Sequence, residues 1–180
     1  VWYGRMGTST QAFGCVSTWL IDAINVLTGN FDRAGGAMFN TPAVDLAGLS
    51  GRIRQTGDFG RWTSRVTGPP EFNGEIPVAA MADEMETEGH GQIRGMLVFA
   101  GNPALSNPNG PRVERALGGL EFLACIDFYL NETTRLADVI IPPVGPLESA
   151  HYPVLELSMG VRDVARYAPP VVEPEDGRPD

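Results

Sequence analysis

The chain of 180 residues is long enough to form one domain with a hydrophobic core of its own. Its 22 acidic residues outnumber its 13 basic ones, and the net charge of −9 argues against a general nucleic-acid-binding or anionic-membrane surface, since both need clustered positive charge. No apolar run approaches the roughly 20 residues of a membrane-spanning helix, so we expect a cytoplasmic protein without nucleic-acid partners or membrane insertion.

The first element predicted along the chain is a strand–turn–helix unit over residues 1–29. Val1–Tyr3 is predicted as a strand, and apolar residues from Val16 to Leu27 recur at helical spacing before Gly29 ends the helix. The polar turn between them could offer N–H groups and hydroxyls to phosphate or heterocycle oxygens, and an ordinary capped turn is the alternative. Its members are Met6, Gly7, Thr8, Ser9, Thr10 and Gln11.

Residues 30–74 show neither helical nor strand periodicity and are predicted to form a long irregular loop. Arginines concentrate there in an otherwise acidic chain, and they would pair with phosphates, with carboxylates of a partner domain, or with solvent. They are Arg52, Arg54, Arg61 and Arg65. A helix is predicted to begin at Pro77, and the acidic run 83–88 is interpreted as a solvated face.

The central segment, residues 95–131, is predicted as strand, turn, helix and strand. Met96–Ala100 is an apolar run short enough for a strand buried on both faces, and Gly101-Asn102-Pro103 stops it. Gly101 is expected to take backbone angles that a side chain would forbid. A helix capped by Asn109 and a second buried strand, Phe122–Ile126, complete a parallel unit. Because ligands gather at the carboxyl ends of parallel strands, Gly101, Asn102 and Asp127 are predicted to share a ligand-facing edge.

Val139–Ile141 is predicted as a further strand, and residues 144–180 as an extended C-terminal arm. The chain is therefore predicted as a single α/β domain with a parallel sheet flanked by helices, divided into 1–29, 30–74, a core at 75–143 and the arm. Cys15 and Cys125 lie among apolar neighbours and are expected to be buried, reduced thiols. The sequence contains no dinucleotide glycine motif, phosphate-loop lysine motif or nucleophile elbow, and we predict no catalytic residue and no metal ligand in it.

Several stretches in this order resemble the molybdopterin oxidoreductases of the dimethyl-sulfoxide-reductase type, which include formate dehydrogenases and nitrate reductases. They are the Met-Gly turn with its helix ending in LTGNFDRAGG, then LVFAGNP, then CIDFYLNETTRLADVIIPP, and the final GRPD. The likeness covers essentially all 180 residues and matches the middle of those longer enzymes. It implies a Rossmann-like domain that forms part of the cradle of a bis(molybdopterin guanine dinucleotide) cofactor with molybdenum or tungsten.

The resemblance also implies cofactor contacts near the pterin. Met6 and Gly7 match the family's Met-Gly turn, and the family's glutamine falls on Thr10 or Gln11, depending on a one-residue choice of register.

At the other end of the cofactor, Asn102 in the Gly101-Asn102-Pro103 turn matches a cofactor-contacting asparagine. Ile126 and Asp127 match the strand-end pair that meets the guanosine, and Asp180 matches a late aspartate that contacts the cofactor. A carboxylate such as Asp127 is a natural acceptor for the guanine N1–H and amino group.

The chain departs from the family's pattern at Ser149, which stands where some relatives place a lysine on the cofactor. The family's metal ligand and any iron–sulfur cysteines lie in earlier segments, so we expect an internal fragment that is inactive alone. Its partners would be the remaining domains of the same polypeptide and an electron-transfer subunit. The apolar surface left by the missing half would favour self-association.

Two other functions remain open from the sequence. One is a non-catalytic iron–sulfur subunit related to respiratory NADH dehydrogenases, which keeps this fold without the molybdenum cofactor. A member of that class need not keep Asn102 and Asp127, so their presence favours the molybdopterin enzyme. The other is a stand-alone nucleotide-binding or interaction module.

Overall fold

A computed structural model describes residues 1–46, 48–49 and 59–174 of the chain. Its residues form two compact units, Val1–Leu49 with His151–Pro169, and Ser50–Ala150 with Pro170–Asp180. The organisation as a single domain stays a prediction.

Regular structure in the described residues is mostly short. The α-helices are α1 (Met6–Ser9), α2 (Gly14–Leu27), α3 (Met81–Glu86), α4 (Pro103–Ser106), α5 (Gly110–Gly118) and α6 (Val154–Ser158). The strands are β1 (Phe59–Thr63), β2 (Pro70–Phe72), β3 (Gly95–Phe99), β4 (Phe122–Ile126) and β5 (Val139–Ile141), with 3₁₀ turns at Val78–Ala80 and Thr134–Leu136.

The first unit contains the predicted helix, but not the predicted first strand. Helix α2 ends at Leu27, and Gly29 follows with a φ of +67°, a conformation that suits glycine. Val1–Tyr3 is not a strand, because the side chain of Asn25 satisfies the backbone of Trp2. The Trp2 N–H donates to Asn25 Oδ1 at 2.8 Å, and Asn25 Nδ2 donates to the Trp2 carbonyl at 2.8 Å.

The outer surface of α2 is apolar and exposed. Trp19 is 66% exposed on it, while Gly14 and Asn25 are the residues of α2 that are buried. Cys15 lies on the same helix and is exposed, so the prediction of a buried thiol is wrong there. Cys125 in β4 is buried, as predicted, and burial raises the pKa of its thiol, with the nearby Asp127 carboxylate as a smaller cause.

The second unit is built on a parallel sheet in the order β3-β4-β5, which confirms the predicted α/β fold class. Strand β3 runs in register with β4 from Gly95 opposite Phe122 to Phe99 opposite Ile126, and Ala124 of β4 lies opposite Val139 of β5. Within the stretch predicted to be irregular, β1 and β2 form a separate antiparallel hairpin.

Helices cover only one face of this sheet, which corrects the prediction that β3 is buried on both faces. Helices α3, α4 and α5 pack on the first face, where Val98, Leu123 and Cys125 join the core. On the second face Leu97 and Phe99 are 62% and 73% exposed. Side chains alternate along a strand, so an all-apolar strand can still have one uncovered face when no layer packs on it.

The acidic run 83–88 is not simply a solvated face, because Glu84 within it is buried. Its carboxylate accepts a short hydrogen bond from the Ser64 hydroxyl and pairs with Arg65 Nε at 3.1 Å. We call this group of three residues the Glu84 cluster. It joins α3 to the chain between β1 and β2.

Candidate functional site

The Gly101-Asn102-Pro103 turn lies at the carboxyl end of β3. Strand pairing continues one residue beyond β3, where the Ala100 N–H donates to the Ile126 carbonyl at 2.9 Å. The positive φ of the turn, +49°, belongs to Ala100 and not to Gly101, whose missing Cβ would meet ordinary contacts at 3.7 Å. The backbone role predicted for Gly101 is therefore wrong, and the strain lies one residue earlier. Pro103 begins α4, with Asn102 as the residue before the helix.

The side chain of Asn102 connects this turn to the chain that follows β4. Thr133 Oγ1 donates to Asn102 Oδ1 at 2.8 Å, and Asn102 Nδ2 donates to Glu132 Oε2 at 2.7 Å. Thr133 is fully buried, and its Oγ1 also accepts from the Ala104 N–H at 3.1 Å. The hydrogen bond from Asn102 lowers the pKa of Glu132, so this carboxyl group is ionised at neutral pH.

Asp127 lies just after β4, and its carboxylate organises the loop there. Its Oδ1 accepts from the Tyr129 N–H at 2.9 Å, and its Oδ2 accepts from Asn131 Nδ2 at 3.0 Å. Asn131 Oδ1 in turn accepts from the N–H groups of Thr133 and Thr134 at 2.9 and 3.0 Å. Each carboxylate oxygen of Asp127 keeps a second lone pair that a ligand can use.

These two loops line an open pocket of about 530 Å³ at the carboxyl edge of the sheet. The predicted residues Gly101, Asn102 and Asp127 all line it, and so does Glu132, which the sequence patterns did not indicate. The pocket contains two carboxylates and two side-chain amides, and its lining includes no Lys, Arg or His. Its full lining is Ala100, Gly101, Asn102, Asp127, Tyr129, Leu130, Asn131 and Glu132.

Two further predicted residues in this unit lie beside the pocket. Ile126 is half-buried at the end of β4, and its carbonyl accepts from the Ala100 N–H; its contact with the guanosine stays a prediction. Pro103 lies behind Asn102 in the first turn of α4. Asp180 lies outside the described residues.

The residues predicted near the pterin lie in the first unit, in and just after α1. Met6 is 74% exposed, and its carbonyl accepts from the Thr10 hydroxyl at 2.9 Å. Gln11 Nε2 donates to Ser17 Oγ at 2.9 Å. The polar turn thus contains a single helical turn whose side chains bond to it and to α2, and Met6, Gly7, Thr10 and Gln11 are all exposed.

A second cavity in the sheet-containing unit, of about 540 Å³, is lined mainly by apolar side chains, among them Ile76, Met81 and Ile93. Its charged residues Arg65 and Glu84 bind each other in the Glu84 cluster. This cavity is therefore a gap beside a structural ion pair and brings together none of the predicted site residues.

Across residues 1–46, 48–49 and 59–174, no three His, Cys, Asp or Glu side chains are grouped so that they could hold a metal ion. Among the helices of that described part, none is long and apolar enough to cross a membrane.

The parallel sheet flanked by helices defines an α/β protein with a Rossmann-like fold, and its polar pocket lies at the edge where ligands gather in such sheets. No protein-family model matches the chain. Known proteins do match it in part. It is 42% identical over 64 residues to the assimilatory nitrate reductase catalytic subunit of Bacillus subtilis, which is 36% of this chain and 9% of that protein.

A longer match, 26% identical over 155 residues, is to the arsenate respiratory reductase molybdopterin-containing subunit ArrA of Shewanella sp. (strain ANA-3) and covers 79% of this chain and 18% of that protein. An NADH-quinone oxidoreductase subunit of Rhizobium meliloti is 31% identical over 121 residues, 64% of this chain and 13% of that protein. Proteins named as formate dehydrogenases are matched as well.

These matches confirm the resemblance predicted from the sequence: the chain is related to the molybdopterin oxidoreductase family. The related stretches span only 9% to 18% of the length of the three relatives described.

Proposed function

We propose that the pocket between Asn102 and Asp127 holds the guanosine end of a bis(molybdopterin guanine dinucleotide) cofactor, in a molybdenum- or tungsten-dependent oxidoreductase similar to formate dehydrogenase or nitrate reductase. The observation that carries this proposal is the position of the amide and the carboxylate together at the carboxyl edge of a parallel sheet, in a relative of molybdopterin enzymes.

The donors and acceptors of the pocket fit the nucleoside part of such a cofactor. Asp127 offers carboxylate lone pairs to the guanine N1–H and amino group, and the volume of about 530 Å³ lies within the usual range for small-molecule sites. Without a cation in its lining, the pocket suits the uncharged guanosine better than the pyrophosphate. The phosphates would need N–H groups or hydroxyls outside this pocket.

When bound, the cofactor would supply two-electron redox chemistry at its metal, and this chain's residues would hold and orient it. The chain alone would be inactive, since it would supply only part of the cradle. Its partners would be the remaining domains of the same polypeptide and an electron-transfer subunit, in the cytoplasm.

The relative from Rhizobium meliloti favours a second function, that of a subunit of an NADH-quinone oxidoreductase. In that case the same fold would contribute to a subunit that carries no molybdopterin, and the pocket would hold no guanine.

Metal and guanine analysis of the intact gene product, purified from a host that makes molybdopterin cofactors, tests the proposal. The wild type should contain molybdenum or tungsten together with guanine. Asp127→Asn keeps the size of the side chain but replaces one acceptor with a donor, so bound guanine should fall about tenfold. The control Asp163→Asn alters an exposed aspartate outside the pocket and should leave the content unchanged.

If the wild-type protein contains iron but no guanine, no molybdenum and no tungsten, the proposal is overturned. The function in an NADH-quinone oxidoreductase then remains. If the wild type and Asp127→Asn contain equal amounts of guanine, Asp127 does not contact the guanosine.

A further inference from the structure

We propose that Glu132 and Thr133 are positioning residues that fix the side-chain amide of Asn102 in one orientation toward the nucleotide. The inference rests on the proposed function and gives a role to two residues that had none in the sequence analysis. It starts from the two hydrogen bonds of the Asn102 amide, 2.8 Å to Thr133 and 2.7 Å to Glu132.

Chemistry alone decides which end of the amide faces which partner. An ionised carboxylate only accepts, so the group of Asn102 that faces Glu132 must be the NH₂. The Thr133 hydroxyl already accepts from the Ala104 N–H, so its single proton is available for Asn102 Oδ1. A flipped amide would set its carbonyl oxygen against the carboxylate and leave the Thr133 proton without its acceptor.

The fixed orientation determines what Asn102 can offer to a ligand. An amide has two N–H donors and two lone pairs on its oxygen, and Glu132 and Thr133 use one of each. One N–H and one lone pair remain, in a defined order. A nucleotide that binds this N–H and this lone pair finds them already oriented, because the amide does not have to be ordered on binding. Binding is therefore tighter than to an amide that samples two orientations.

Glu132 acts here through Asn102, so the test must separate its hydrogen-bond acceptor from its charge. Glu132 is exposed, and its replacement should leave the fold intact. Glu132→Ala removes the acceptor and should weaken guanine retention about threefold to tenfold, since only part of the protein then has the competent orientation. Glu132→Gln restores an acceptor without charge and should recover most of the retention.

The matched control is Glu121→Ala, which removes an exposed carboxylate that pairs with Arg94 at the far end of β4. It should retain guanine as the wild type does. In the same proteins, hydrogen exchange of the Asn102 NH₂ should be faster in Glu132→Ala than in Glu132→Gln and the wild type. That readout can be made on protein that carries no cofactor.

Reversing the polarity of the pair gives a second, independent test. Asn102→Asp places two carboxylates side by side and should lower both the free energy of unfolding and guanine retention. In Asn102→Asp with Glu132→Gln, the Gln NH₂ can donate to the new carboxylate, so stability should return. Retention should not return, because residue 102 no longer has an N–H for the ligand.

Wild-type retention by Glu132→Ala, or by the double variant, would overturn the positioning role while leaving the proposed function in place. A wild-type protein without guanine would overturn the proposed function itself, and the role of the fixed amide with it.

Discussion

At the scale of single residues, Thr133 holds the two loops of the site together. Its hydroxyl donates to the side chain of Asn102 and accepts from the backbone of Ala104, and both partners belong to the chain after β3. Its own N–H donates to Asn131, within the loop after β4. One buried hydroxyl thus links the ends of two neighbouring strands, and the pocket lies beside it.

Replacing Thr133 should therefore lower the free energy of unfolding, mainly through loss of its hydroxyl group. Thr133→Val keeps the shape but leaves the Ala104 N–H without its acceptor, and the free energy of unfolding should fall by about 1–3 kcal/mol. Thr133→Ser keeps the hydroxyl and loses a methyl group, which should cost about 1 kcal/mol or less. Urea unfolding of the three proteins measures both changes, and equal losses in the two variants would mean that packing, not the hydroxyl, stabilises the site.

Two residues of this site, Asn102 and Asp127, could be predicted from the sequence for a physical reason. Asn102 and Asp127 each follow an apolar run that is closed by polar residues, and parallel strands put such ends at one edge. Glu132 and Thr133 could not be found this way. Their partner Asn102 lies 30 and 31 residues away, and only the folded path of the loop after β4 brings them to it.

At the scale of elements, the Glu84 cluster fastens α3 to the chain between β1 and β2. The hydrogen bond from Ser64 lowers the pKa of Glu84 below its ordinary value of 4.5; burial opposes this, and the Val66 N–H and the Arg65 charge assist it. A carboxyl group with a lowered folded-state pKa stabilises the fold above its unfolded-state value. That contribution is lost as the pH falls through the folded-state value.

Acidification should therefore loosen the attachment of α3, and Glu84→Gln should remove this dependence. At pH 7 the variant should lose about 1 kcal/mol or more of unfolding free energy, since a charged acceptor is replaced by a neutral one. Between pH 7 and about pH 3, its stability should fall less than that of the wild type. Denaturant unfolding across this range, with exposed Glu88→Gln as the control, makes the comparison. Parallel pH curves for the wild type and Glu84→Gln would contradict the assignment.

The predicted bounds of an element are accurate where polar residues or prolines clearly end its apolar run. Strands β4 and β5 match their predicted bounds, because polar residues or prolines end each apolar run. The hairpin β1–β2 was missed, since its strands are short and mostly exposed and too short for a clear alternation of apolar and polar residues. Val1–Tyr3 has the composition of a strand, yet a buried side chain, Asn25, binds its backbone.

At the scale of the whole molecule, the uncovered face of the parallel sheet is the largest departure from expectation. Its exposed apolar side chains alternate with those that enter the core, as the register of the strands requires. They are Leu97, Phe99, Phe122, Val139 and Ile141. A parallel sheet is ordinarily covered on both faces. The chain matches 9% of the length of the nitrate reductase relative and 18% of that of the arsenate reductase relative, so we propose that the remaining domains of the polypeptide cover this face.

Without that cover, this chain should associate with itself through the same surface, because burial of exposed apolar area is favourable. Sedimentation velocity of the 180-residue chain should show species larger than one copy that increase with concentration. Leu97→Glu places a charge in the middle of strand β3 on this face and should shift the protein to single copies. Leu105→Glu, at a position in α4 that is 70% exposed and off the sheet, should leave association unchanged. If both variants behave alike, the contact lies elsewhere, and the sheet face is not the surface that the rest of the polypeptide would cover.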